Sequence, residues 1–86
     1  MRWPMDADKL LEKYRKAGFA PVLKFSMLNH EPYYFIQMQF SSLSYWPNTN
    51  CWEMYDEKTG RYGHVDQKMQ ERFSRILDKR IAELAR

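Results

Sequence analysis

Aromatic side chains crowd the part of this chain that offers them least cover. Of fourteen Phe, Trp and Tyr in 86 residues, nine fall between Tyr33 and Tyr62, on segments that otherwise read as polar strands and loops. A domain of this length buries only about 60–65 % of the surface its unfolded chain exposes. Some of these rings must therefore lie on the outside, where Tyr and Trp make strong contact residues. Whatever the chain folds into has to present an aromatic surface.

The remaining composition bounds the problem. Hydrophobic residues make up 44 % and charged residues 29 %, the balance of a single globular domain spanning 1–86 rather than of a disordered chain. No segment approaches the roughly 18 consecutive apolar residues of a membrane span, so no membrane is expected as a partner. Met1, Arg2, Trp3 and Pro4 lead into a polar stretch from Asp6, unlike a signal peptide. Cys51 is the one cysteine, which excludes an intramolecular disulfide and makes the cytoplasm the expected compartment, a host's cytoplasm if the protein is virus-encoded. The net charge of +3 is uneven: residues 6–17 carry +1 and 66–86 carry +2, whereas 18–65 carry −1.

Residues 6–17 read as a helix, with Asp6 as N-cap and Gly18 as stop. Ala7, Leu10, Leu11, Tyr14 and Ala17 share one arc at about 100° per residue, and Lys9, Lys13 and Lys16 stack opposite. Residues 19–28 read as a strand burying Leu23, Phe25 and Met27, with Pro21 near its start. Asn29, His30, Glu31 and Pro32 make a turn. Residues 33–41 form the clearest strand, with Tyr34, Ile36, Met38 and Phe40 inward and Tyr33, Phe35, Gln37 and Gln39 outward. Residues 42–50 read as a polar loop carrying Tyr45 and Trp46. A strand follows at 51–56, with Trp52 and Met54 inward. The turn at 57–60 relies on Gly60 for a positive φ, and a short strand covers 61–65. The last segment, 66–85, is a helix capped by Asp66, with Val65, Met69, Phe73, Ile76, Leu77, Ile81 and Leu84 on one face. The expected fold is α+β: a single antiparallel sheet of three to four strands with an N-terminal and a C-terminal helix on one face.

That arrangement leaves the other sheet face open, showing Lys24, Ser26, Tyr33, Phe35, Gln37, Gln39, Glu53 and Tyr55. The expected partner-binding residues are Tyr33, Phe35, Gln37 and Tyr55 on this face, with Tyr45 and Trp46 on the adjoining loop. A second copy of the chain is another occupant for the same rings. On the last helix Lys68, Arg72, Arg75, Lys79 and Arg86 project to one side, a stripe able to meet phosphates or another anionic partner, although Glu71 and Asp78 flank it. No cofactor, metal or catalytic machinery is expected. His30, His64 and Cys51 lack ligand spacing. Neither His30 with Glu31, nor His64 with Arg61 and Tyr62, has a supporting catalytic signature. Cys51 at a strand start reads as a buried, inert thiol.

The order helix, strands, helix resembles the double-stranded-RNA-binding domain. Leu10-Leu11-Glu12-Lys13-Tyr14 looks like that family's first helix, and Asn29-His30-Glu31-Pro32 like its minor-groove loop. Where the family carries a Lys-rich, phosphate-gripping cluster, this chain has Gly63-His64-Val65-Asp66-Gln67-Lys68. The resemblance implies nucleic-acid binding as the alternative function. The principal expectation is non-enzymatic binding to a protein, by an inhibitor or accessory factor of the kind phages and mobile elements encode against host defence.

Overall fold

The computed structural model describes residues 7–85. The expected cap Asp6, the segment Met1 to Pro4 and Arg86 lie outside the described residues. Helix α1 spans Ala7–Lys16 and buries Leu10, Leu11 and Tyr14, followed by Ala17. It ends in the motif its glycine predicts. Gly18 takes φ 96, its N–H donates to the Arg15 carbonyl at 3.0 Å, and the Phe19 N–H donates to the Tyr14 carbonyl at 2.9 Å. A residue with a Cβ pays a steric cost at that φ.

Five strands follow: β1 Val22–Phe25, β2 Pro32–Gln37, β3 Ser41–Trp46, β4 Cys51–Asp56 and β5 Arg61–His64. They form one antiparallel sheet in the order β1-β2-β3-β4-β5. Helix α2, Gln67–Leu84, closes the chain, and the Asp66 carboxylate accepts from the Met69 N–H at 2.9 Å as expected of its cap. The α+β class with one antiparallel sheet therefore holds, with five strands where three to four were expected. The five-stranded meander also departs from the order on which the resemblance to the double-stranded-RNA-binding domain rested.

The extra strand comes from the stretch read as a loop. The strand expected over 33–41 stops at Gln37. The chain turns through Met38 to Phe40, with the Met38 N–H donating to the Ser41 carbonyl at 2.9 Å. Residues 41–46 then return as the central strand, paired with β4 along its whole length and with β2 from Ser42 to Tyr45. Serine polarity suggested a loop, but the serines alternate with Leu43 and Tyr45, which point to the helices and are buried. A strand with one covered face needs apolar residues only at every second position. Phe40, expected inside, sits in the turn and is half exposed, with the Lys58 ammonium 4.3 Å from its ring centroid.

The core lies between the helices and the middle of the sheet. Tyr14, Ile36, Leu43, Trp52 and Val65 are its largest enclosed side chains. The Trp52 ring stands 6.2 Å from that of Tyr14 and 4.6 Å from that of Tyr45. Strand β1 pairs only with β2 and lies at the sheet edge. Leu23 and Phe25 share the helix-side face with Tyr34, yet they remain 49 % and 60 % exposed, and Met27 lies in the turn beyond, 95 % exposed. Their expected burial fails because the edge strand is left uncovered.

Lys13 is not in a solvated stripe. It crosses to α2, donating to Ser74 Oγ at 2.9 Å and pairing with Asp78 at 2.8 Å. This contact turns Gln70, Ser74 and Leu77 inward, while Ile76 and Leu84, expected on the apolar face, are exposed. Arg80 completes the junction. Its Nε donates to the Ala17 carbonyl at 2.7 Å, placing a cation at the C-terminal end of α1 where the helix dipole favours it, and its guanidinium lies 5.0 Å from the Phe19 ring.

Candidate binding face

The pairing register sets the side chains of the uncovered face in three rows. The first runs Lys24, Tyr33, Trp46, Cys51; the second Val22, Phe35, Ser44, Glu53, His64; the third Gln37, Ser42, Tyr55, Tyr62. Rows on one face stand about 7 Å apart along the strands. Tyr33 stacks on Trp46 in the first row, centroids 4.5 Å apart and planes inclined by 27°. Tyr55 and Tyr62 face each other in the third, 4.7 Å apart. Between these two pairs, on the central strands, sit the short side chain of Ser44 and the carboxylate of Glu53.

Large rings on both sides of small residues make a groove. It has a volume of about 360 Å³ and is lined by Tyr33, Phe35, Trp46, Tyr55, Tyr62 and Glu53, among others, with Met27 and Leu28 of the β1–β2 turn at its rim. Both rim residues are almost wholly solvent-exposed. At the β1 side the Lys24 ammonium lies 4.3 Å from the centroid of Phe35. At the far corner Gln37 is tied down, its Nε2 donating to Glu57 Oε1 at 2.7 Å and to the Met38 carbonyl at 2.9 Å.

Four of the six residues expected at a partner-binding surface thus meet the groove: Tyr33, Phe35, Trp46 and Tyr55. Gln37 shares the face but spends its amide on the β2–β3 turn and Glu57. Tyr45 is a correction. It points to the helices, is buried against Trp52, and donates its hydroxyl to Asn50 Oδ1 at 3.0 Å, so it belongs to the core. Trp46, one residue later, takes the opposite face from a strand rather than from a loop. Tyr62 was missed as a surface contact. Its signal was available, because a four-residue turn at 57–60 pairs Asp56 with Arg61 and hence Tyr55 with Tyr62. Ser26, placed on the open face from sequence, lies just past β1 and still lines the groove, whereas Gln39 falls in the β2–β3 turn.

Cys51 ends the first row partly buried rather than enclosed. Its Sγ lies 3.4 Å from His64 Nδ1, and burial, with the charge of Glu53 second, raises the thiol pKa. Among the described residues no three His, Cys, Asp or Glu side chains gather into a metal site, and no helix is long and apolar enough to cross a membrane.

Lys68, Arg72, Arg75 and Lys79 are all exposed on α2, on the side of the molecule away from the groove. Glu71 and Asp78 are exposed among them, and the N-terminal end of α2 is already taken by the Asp66 carboxylate. A second hollow of about 270 Å³ lies between the helices and the β2–β3 turn, lined by Tyr14, Phe19, Met38, Phe73, Ile76, Leu77 and Arg80. It is almost wholly apolar, and Arg80 is already engaged with α1. Comparison with protein-family models, curated proteins and solved structures finds no match to this chain.

Proposed function

We propose that this chain is a small non-enzymatic protein-binding module, an inhibitor or accessory factor that acts by occupying a partner protein through the open sheet face. The observation that carries this reading is the set of five rings, Tyr33, Phe35, Trp46, Tyr55 and Tyr62, gathered around one groove on the sheet face the helices leave open. Binding hot spots are rich in Tyr and Trp set in concave, desolvated patches with few charges. A module with one such surface works by blocking or remodelling what it binds. That suits factors that phages and mobile elements encode against host defence enzymes, acting in the host cytoplasm.

The test begins with capture of partners from the source cell by the tagged chain and their identification by mass spectrometry. The purified partner is then titrated with variants. Phe35→Ala or Trp46→Ala should weaken binding by about thirtyfold or more. Unchanged affinity in both variants sinks the reading. The alternative, a nucleic-acid-binding module using the exposed Lys68, Arg72, Arg75 and Lys79, predicts salt-dependent retention on heparin that Arg72→Glu with Arg75→Glu abolishes. The interleaved carboxylates and the Asp66 cap favour the protein reading.

A further inference from the structure

The groove has a chemistry more particular than aromatic. Among the described residues Glu53 is the one formally charged side chain that lines it. Its direct neighbours across the strands are Ser44 and His64, and among the described residues no side chain forms an ion pair or hydrogen bond with its carboxylate. Around it stand five rings, whose faces carry the negative lobe of the aromatic quadrupole. A carboxylate set among aromatic rings attracts cations and repels anions.

The surroundings agree. Residues 18–65 set Lys24, Lys58 and Arg61 against Glu31, Glu53, Asp56 and Glu57, so the sheet is the acidic part of a basic molecule. Its two lysines lie over rings of the sheet region, Lys24 over Phe35 and Lys58 over Phe40, each at 4.3 Å. Neither lines the groove itself.

We propose that the groove is the seat of an arginine side chain of the partner protein, with Glu53 as its counter-charge. Arginine suits the site better than lysine. Its planar guanidinium stacks on aromatic faces and offers parallel N–H donors to a carboxylate, whereas an ammonium is a compact, strongly hydrated point charge. The exposed Met27 and Leu28 at the rim supply apolar cover for the residues flanking that arginine. The proposal rests on the reading that this face binds a protein, and it names the residue of the partner that anchors there.

The probes are three capped tripeptides, Gly-Arg-Gly, Gly-Lys-Gly and Gly-citrulline-Gly. Citrulline keeps the shape of arginine and removes its charge. Each is titrated into the isotopically labelled full chain while the Trp46 indole and the tyrosine rings are followed by NMR. The arginine peptide should shift Trp46, Tyr33, Tyr55 and Tyr62 saturably. The citrulline peptide should bind at least about tenfold more weakly, and the lysine peptide should fall between them. Glu53→Gln should weaken the arginine peptide by about tenfold, with Glu71→Gln on α2 unchanged. Absence of saturable shifts overturns the proposal. So does equal binding of the citrulline peptide, an undiminished response in Glu53→Gln, or shifts confined to the helices. The citrulline arm needs no substitution, so it stands even if a variant folds poorly. Should the peptides fail while Trp46→Ala still releases the captured partner, the arginine is wrong and the binding face stands. If Trp46→Ala and Phe35→Ala both leave that partner bound, the face itself is wrong.

Discussion

The two faces of the sheet are built from the same residue types and meet opposite fates. Tyr34, Tyr45 and Trp52 look toward the helices, where Trp52 is buried between Tyr14 and Tyr45. Tyr33, Phe35, Trp46, Tyr55 and Tyr62 look the other way and remain partly or largely exposed. Tyr33 and Tyr34 are adjacent in the chain, as are Tyr45 and Trp46, and each pair is split between the faces. Ring identity therefore says little about role. What separates core from surface is parity along the strand, combined with which face two helices happen to cover.

The sharpest way to break this comparison is to remove one tryptophan from each face. Trp52→Ala should cost about 3–5 kcal/mol in chemical denaturation. Trp46→Ala, at a partly buried ring stacked on Tyr33, should cost clearly less, about 2 kcal/mol, while carrying the loss of partner affinity. Equal destabilisation would show both faces to be core. A smaller effect separates the helix side itself. Phe73 is half buried beside Met38 and Leu77 rather than enclosed, so Phe73→Ala should cost about 2 kcal/mol, below the Trp52 value. A loss as large as that of Trp52→Ala would mean the hollow beside Phe73 is sealed in solution.

Smaller still are the polar groups. Tyr45→Phe deletes the hydroxyl that donates to Asn50 and should cost about 1 kcal/mol. Tyr62→Phe, on the exposed side, should be neutral within error. If the two cost the same, the Tyr45 bond contributes nothing to the closed face. The capping carboxylate of Asp66 should likewise be worth about 1 kcal/mol in Asp66→Ala. The smallest expected effect is kinetic. Cys51 has a raised thiol pKa, so at pH 8 less of it is thiolate than in the unfolded chain. Folded protein should react with a thiol-specific disulfide reagent more slowly than denatured protein does. Faster reaction in the folded state would place an activating charge at that corner of the open face.

Edge and centre offer the same lesson along another axis. Strand β1 presents Val22, Leu23 and Phe25 to solvent and pairs on one side only, whereas β3 is paired on both. Amide exchange should be fastest in the edge strands β1 and β5 and slowest in the central β3. Uniform protection across the sheet would mean that something covers the β1 edge in solution.

Much of this protein is decided by neighbours in sequence. Gly18 stops α1 and Asp66 starts α2 because backbone geometry and a short carboxylate act within one turn. Gly60 at φ 70 makes the β4–β5 hairpin, and once that turn is set the pairing of Tyr55 with Tyr62 follows. The alternation of Tyr33 to Gln37 and of Cys51 to Tyr55 sorts those side chains onto two faces by steric rule alone. These parts are legible because each depends on contacts a few residues apart. The remainder required the assembled molecule. Ser42 and Ser44 look like loop residues until β2 and β4 flank them and show that their face is the uncovered one. Leu23 and Phe25 read as core until the helices prove not to reach the edge strand. Lys13 reads as a solvated cation until α2 brings Ser74 and Asp78 within 3 Å of it. In each case burial is a property of what lies across space, and a one-dimensional pattern carries the period of a surface without saying which surface will be covered.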